Sequence, residues 1–428
     1  MGRTGAALRN IAPIGWSAAW IESRIMQQPA PQAVNKPRLK RSLSLVLLTL
    51  YGVGVIIGAG IYVLTGQVAA AAGMGAPLSF LLAGVLAFPT ALSFAELSAR
   101  HPEASGQAAY AHGAFSNVLL SRSVGFAVAA VGMLAAASIA RGCAGYLHGL
   151  VPVIPIAAGS ALIVVLFTLT ACLAAASSVA VAALMTLIEI GGLLYVISAG
   201  VIQTQAYSPP EFVFEPAAIA SGAFIAMFAF LGFEALVNMA EETRDPGRTL
   251  PRAILLSIGI STLFYVVVAY VAVHVTPLDV LASSPTPLLD VVLSSPIGNA
   301  ALFGIIALTA TANGVLIEIL MVSRMLYGMG DRGWLPRALA HVWARTHAPV
   351  RATLLTGAIL LVLVIPFDVG ALAAATSNVL LAVFIVTNLA LMRLHQTEPR
   401  PDIAIRAPRW VPPLGALGAA GLLAAQLL

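Results

Sequence analysis

Charge is what this sequence lacks. Of its 428 residues only 9% are Asp, Glu, Lys or Arg, 60% are hydrophobic, and the mean hydropathy is +0.95. A soluble domain carries about a quarter charged residues. So few charges cannot wet a surface of this size, and lipid must solvate most of it. Cysteine is nearly absent: Cys143 and Cys172 lie inside apolar runs, with no CxxC and no Cys/His metal spacing, and read as small buried side chains. HExxH, GxSxG and P-loop patterns are missing, so nothing points to an enzyme, a metal or a cofactor. Alternating polarity is missing too. The apolar runs are long and continuous, which excludes a barrel and leaves helices.

At roughly 20 apolar residues per span, the length allows about ten to twelve helices. The expected spans are 43–72, 76–99, 117–147, 155–174, 179–203, 217–241, 252–275, 298–327, 351–366, 370–393 and 410–428, eleven in all. Breakers mark the connections: Gly73-Met74-Gly75, Pro152 to Pro155, Pro209-Pro210 and Pro285 to Pro296. Residues 1–42 are polar, contain Pro29, Pro31 and Pro37, and end in the basic run Lys36, Arg38, Lys40, Arg41. They read as a largely disordered cytoplasmic segment that is neither signal peptide nor span; Met26 offers a second start.

The formal net charge of +5 raises nucleic acid as a partner, and the placement of the charges excludes it. With the amino terminus in the cytoplasm, the inner loops hold Arg100, Arg122, Arg244, Arg248, Arg252, Arg332, Arg337, Arg345, Arg351, Arg400, Arg406 and Arg409. The outer loops hold Glu211, Glu215, Asp279, Asp290 and Asp368 and no Lys or Arg; Arg141, near the outer end of the third span, is the exception. This is a positive-inside pattern, and Trp334, Trp343 and Trp410 fall where interfacial anchors belong. A multi-pass protein of an inner (cytoplasmic) membrane is expected, with lipid as its partner; its oligomeric state is not legible.

Two spans carry glycines that break helices. The first holds Gly52, Gly54, Gly58 and Gly60; the sixth reads Phe228-Ala-Phe-Leu-Gly232-Phe-Glu234. Each glycine costs about 1 kcal/mol against alanine in a helix. Gly52 and Gly54 also suit close helix packing. Spans one and six are corresponding members of two five-helix halves, 43–203 and 217–393, with 410–428 left over as an eleventh span. Paired breaks at matching positions point to a transporter site. Unwound backbone in lipid survives only where it is buried in protein or lines a cavity. Amides at a half-helix start attract a carboxylate and freed carbonyls take an ammonium, so one zwitterion, an amino acid, satisfies both.

Three stretches resemble the amino acid–polyamine–organocation superfamily of permeases: Gly52-Val-Gly-Val-Ile-Ile-Gly-Ala-Gly-Ile-Tyr62, Phe230-Leu-Gly-Phe-Glu234 with Glu241-Glu-Thr-Arg-Asp-Pro-Gly-Arg-Thr-Leu-Pro-Arg-Ala-Ile254 after it, and Ser323-Arg-Met-Leu-Tyr-Gly-Met-Gly-Asp-Arg-Gly-Trp-Leu-Pro336. Their order and spacing match over about residues 43–393. The resemblance implies an all-α, LeuT-like five-plus-five inverted repeat with helices 1 and 6 discontinuous. It implies amides of Ala59 and Gly60, at the Gly58 break, on a substrate carboxylate. It implies carbonyls of Ile56, Phe228, Ala229 and Leu231 near the substrate amine, with the Phe228 ring as a lid. The chain departs from the family in having one span fewer than the usual twelve, in its long amino-terminal segment, and in Glu189, which stands where many members carry a fifth-helix lysine.

Ionisable groups inside spans are functional candidates. Glu234 either links the broken sixth helix to its surroundings and senses protons, or braces it. Glu189 lies roughly 15 Å and Glu318 roughly 13 Å from the inner ends of their spans, at 1.5 Å per residue. Two carboxylates at matched depth do not both ionise cheaply, which suits coupling to a proton gradient; alternatively each bonds elsewhere, Glu318 with Arg324 for example. Glu96 reads as an interfacial group, and 241–248 as an intracellular gate or a solvated, capping loop. The resemblance implies that the side chains that set specificity come from spans three, six, eight and ten; these stretches are mostly Ala, Val, Leu, Met and Thr, which favours a neutral substrate. A secondary transporter of amino acids, working by alternating access, is therefore expected. An amino acid/polyamine exchanger, or a non-transporting amino-acid sensor on the same fold, is the alternative. A major-facilitator carrier lacks the glycine-broken first helix, and no channel filter is present.

Overall fold

The computed structural model describes residues 39–203, 207–284, 286–365, 369–398 and 403–427. Expectations for residues 1–38, Pro285, Asp368 and Arg400 lie outside them. The described chain is helical; an isolated parallel bridge joins Leu43 to Thr243. The helices are α1 (Leu45–Ala72), α2 (Ala76–Arg100), α3 (Gly106–Phe115), α4 (Val118–Leu150), α5 (Ile156–Ala171), α6 (Ala175–Val201), α7 (Pro216–Met227), α8 (Pro246–Val275), α9 (Leu278–Ser283), α10 (Pro287–Leu293), α11 (Ala300–Asp331), α12 (Val350–Leu363), α13 (Val369–Thr397) and α14 (Val411–Leu427).

Their ends follow local chemistry. Ser44, Asn117 and Asn299 each accept the amide three residues on, and Pro216, Pro246 and Pro287 open α7, α8 and α10, where no amide is needed. Gly73, at φ 54°, stops α1.

Among the described residues, eight stretches are long and apolar enough to cross a membrane. Three of the expected spans, 155–174, 351–366 and 410–428, correspond to shorter apolar helices. The 14 residues of α12 reach about 21 Å at 1.5 Å per residue, short of a hydrocarbon core of roughly 30 Å. Helix α3 was not foreseen, and it fills the connection between the second and third expected spans.

Leucines such as Leu119, Leu184 and Leu263 are exposed on the outside of the bundle. Helix α11 is the most enclosed of the long helices and packs against α4, α6 and α1. Arg324 on α11 is fully buried and meets Glu242 at 3.2 and 3.3 Å and Ser323 at 3.0 Å. Removing one partner of a buried pair leaves an uncompensated charge, at a cost of about 3–5 kcal/mol. The expected alternative pairing of Arg324 with Glu318 is thereby replaced.

The loop at 241–248 is only partly solvated. Glu241 accepts the Ala104 amide and the Tyr327 hydroxyl, while Asp245 and Arg248 form an exposed pair. Glu96 is buried, held by Arg100, His395 and the Ala407 amide. Trp343 and Trp410 are exposed, whereas Trp334 is buried under the Arg332 guanidinium.

Candidate functional site

Both expected breaks are present. Helix α1 leaves helical geometry at Gly58 (φ 8°, ψ −140°). The sixth span is an α-helix only to Met227. A 3₁₀ turn follows over Phe228–Phe230, then extended Leu231 (φ −66°, ψ 146°), then Gly232 at φ 122°, and a second 3₁₀ segment, Phe233–Glu242. A side chain is strongly disfavoured at the Gly232 φ. It is also short of room there, because an added Cβ would lie 3.0 Å from the Val55 carbonyl oxygen. At Gly60 an added Cβ would lie 2.9 Å from the Ala229 Cα. The two breaks therefore cross in backbone contact, where helix ends leave amides and carbonyls without helical partners.

Beside the crossing is a cavity of about 160 Å³, several times the roughly 10–15 Å³ that one water requires. Ile56, Gly58, Gly60, Phe228, Ala229 and Leu231 line it, as do Glu234 and Glu318. Of the backbone candidates, the Ala59 side chain lies outside the described residues. Helix α4 contributes Val131, Ala135 and Ile139, and α13 contributes Thr376 and Leu380. Glu234 turns its Oε2 back onto the Gly232 amide at 2.8 Å, bracing the break. Glu189 stands apart from the cavity: fully buried, it accepts from Asn313 Nδ2 at 3.3 Å. The carboxylate that shares the cavity with Glu318 is thus Glu234, not Glu189.

A family model described as amino acid permease matches residues 43–428. The chain belongs to the amino acid permease family. Over 348 residues the permease is 32% identical to cationic amino acid transporter 9, chloroplastic, of Arabidopsis thaliana; the match covers 74% of this chain and 59% of that protein. Over 396 residues it is 28% identical to the branched-chain amino acid permease BcaP of Bacillus subtilis, covering 86% and 84%. An uncharacterized transporter of Mycobacterium tuberculosis is 29% identical over 408 residues, covering 92% and 88%. The permease is accordingly a multi-pass membrane protein.

Sequence reasoning missed Tyr265. Its hydroxyl, carried by α8, lies 2.5 Å from the Ile56 carbonyl and 2.7 Å from the Ala229 carbonyl. One proton is shared between an acceptor from each break, so α8 fastens the two together. Phe80 and Phe230 pack edge-on against its ring. A phenylalanine would keep that packing and strip the donor from both carbonyls. Tyr265→Phe is therefore expected to lower stability by about 1–3 kcal/mol, the range for a buried acceptor left unsatisfied. A melting curve of the purified protein in detergent checks this; an unchanged midpoint would show that the hydroxyl does not hold the breaks.

Proposed function

We propose that the permease is a secondary active transporter moving amino acids across the cytoplasmic membrane by alternating access. Its two five-helix halves, 43–203 and 217–393, form an inverted repeat, 410–428 is an additional span, and the amino terminus faces the cytoplasm. The observation that carries the reading is the crossing of two helix breaks, at Gly58 and at Phe228–Gly232, beside one cavity. Half-helix amides there suit a carboxylate and freed carbonyls an ammonium. Relatives whose names specify cationic and branched-chain amino acids support the α-amino acid core as the shared feature of the substrate. Transport is coupled to protons through Glu189, which is fully buried with its Oε1 lacking a hydrogen-bond partner.

Uptake of radiolabelled amino acids into proteoliposomes, with pH or sodium gradients imposed, tests this. Competitors lacking either the α-amino or the α-carboxylate group are expected to lose at least tenfold in potency. An amine that competes as well as its parent amino acid would make the protein an amine carrier. Stimulation by internal amino acid alone, with indifference to both gradients, would make it an exchanger.

A further inference from the structure

Among its described lining residues the cavity is acidic and holds no base. Glu234 and Glu318 are the ionisable ones among them. Glu234 is committed to the Gly232 amide. Glu318 is not: its Oε2 is inaccessible and has no hydrogen-bond partner. Arg324, six residues further along α11, is bound to Glu242 and Ser323. Helix α4 leaves room for the carboxylate, since a Cβ added at Gly132 would lie 3.0 Å from Glu318 Oε2. The fold thus keeps an acid at a cavity wall and gives it nothing to bind.

We propose that Glu318 selects the substrate's side chain, accepting the cationic end of a basic amino acid such as lysine, ornithine or arginine. The inference rests on the amino acid reading of the cavity. The two breaks neutralise the substrate's own α-ammonium and α-carboxylate, so a neutral side chain would leave the Glu318 charge uncompensated in a low-dielectric site. Charges buried without a partner are strongly disfavoured, and a side-chain ammonium or guanidinium supplies the missing partner. The rest of the wall suits the stem of such a side chain: Val131, Ala135 and Ile139 on α4 and Leu380 on α13 are apolar, and long basic side chains lay their methylenes along such surfaces. The apolar composition of these spans favoured a neutral substrate in the sequence. The position of Glu318 among them reverses that expectation.

The test is calorimetric binding of lysine, arginine and their uncharged counterpart norleucine to the purified full-length protein, wild type, Glu318→Gln and Glu318→Asp. The wild type is expected to bind lysine or arginine at least tenfold more tightly than norleucine. Glu318→Gln should weaken the basic amino acids at least tenfold and tighten norleucine, inverting the preference. Tightened norleucine binding also shows that the variant is folded. Glu318→Asp, which keeps the charge, should retain a reduced preference for the basic amino acids. Three results would overturn the assignment. Equal binding of lysine and norleucine by the wild type, unchanged in Glu318→Gln, removes the selecting role. Norleucine binding that weakens as pH rises in the wild type, but not in Glu318→Gln, makes the partner of Glu318 a proton. Failure of every amino acid, basic or neutral, to bind any of the three proteins removes the amino acid reading itself.

Discussion

Gly60→Leu is expected to abolish amino acid binding, a loss of at least a hundredfold in affinity, in a protein that still inserts and purifies as a monodisperse species. The reason is local. The first added carbon would already lie 2.9 Å from the Ala229 Cα and 3.1 Å from its Cβ. One of these atoms is backbone, so no rotamer change relieves the contact. The strands of unwound chain at the two breaks must separate, and the carbonyls of Ile56 and Ala229, now bridged by Tyr265, move apart with them. The remaining three carbons of leucine would enter the cavity that Gly60 lines. Bulk at Gly142 serves as the control, because an added Cβ there meets nothing within 4 Å. Gly142→Leu is expected to bind normally. Normal calorimetric binding by folded Gly60→Leu would remove the crossing of the breaks as the substrate site.

The breaks were legible because backbone requirements write themselves into sequence as glycine. Gly58, Gly60 and Gly232 stand where the chain unwinds or two backbones meet, and no other residue fits Gly232 at φ 122° beside Val55. Long apolar runs fixed most helices, since lipid permits no exposed amide. Side-chain partnerships were far less legible. Glu189 and Glu318 were matched by depth, but depth along a helix says nothing of the face on which a residue lies. At 3.6 residues per turn, a carboxylate faces a neighbour only if its azimuth agrees, and Glu318 lines the cavity while Glu189 faces Asn313. Tyr265 left no signal at all: it is one aromatic within the apolar run of α8, and its two acceptors lie 209 and 36 residues away. Helix α3 escaped because Gly106–Phe115 is ten residues, too short to span and uncharged enough to read as a connection.

Glu189→Gln is expected to make transport independent of a proton gradient while exchange of internal for external amino acid continues. The surroundings of Glu189 carry the argument. It is fully buried on α6, its Oε2 accepts from Asn313 Nδ2 at 3.3 Å, and its Oε1 has no hydrogen-bond partner. Asn313 also donates to Thr186 Oγ1 at 3.0 Å. This trio presses on α1 just before its break: a Cβ added at Gly54 would lie 2.1 Å from Thr186 Oγ1 and 2.6 Å from Asn313 Nδ2. Tyr62, beyond the break, donates to the main-chain oxygen of Glu189 at 3.4 Å. A change of charge on Glu189 is therefore felt on both sides of Gly58, whereas the cavity walls are untouched. Glutamine reproduces the protonated acid in shape and neutrality, so it freezes the proton-loaded form and leaves binding in place. Proteoliposomes loaded with unlabelled amino acid report exchange, and empty ones under an imposed pH gradient report coupling. Loss of both activities together would make Glu189 a structural residue. Uptake by the wild type that rises with external sodium at fixed pH, and is lost in Glu189→Gln, would assign the carboxylate to a sodium ion in place of a proton.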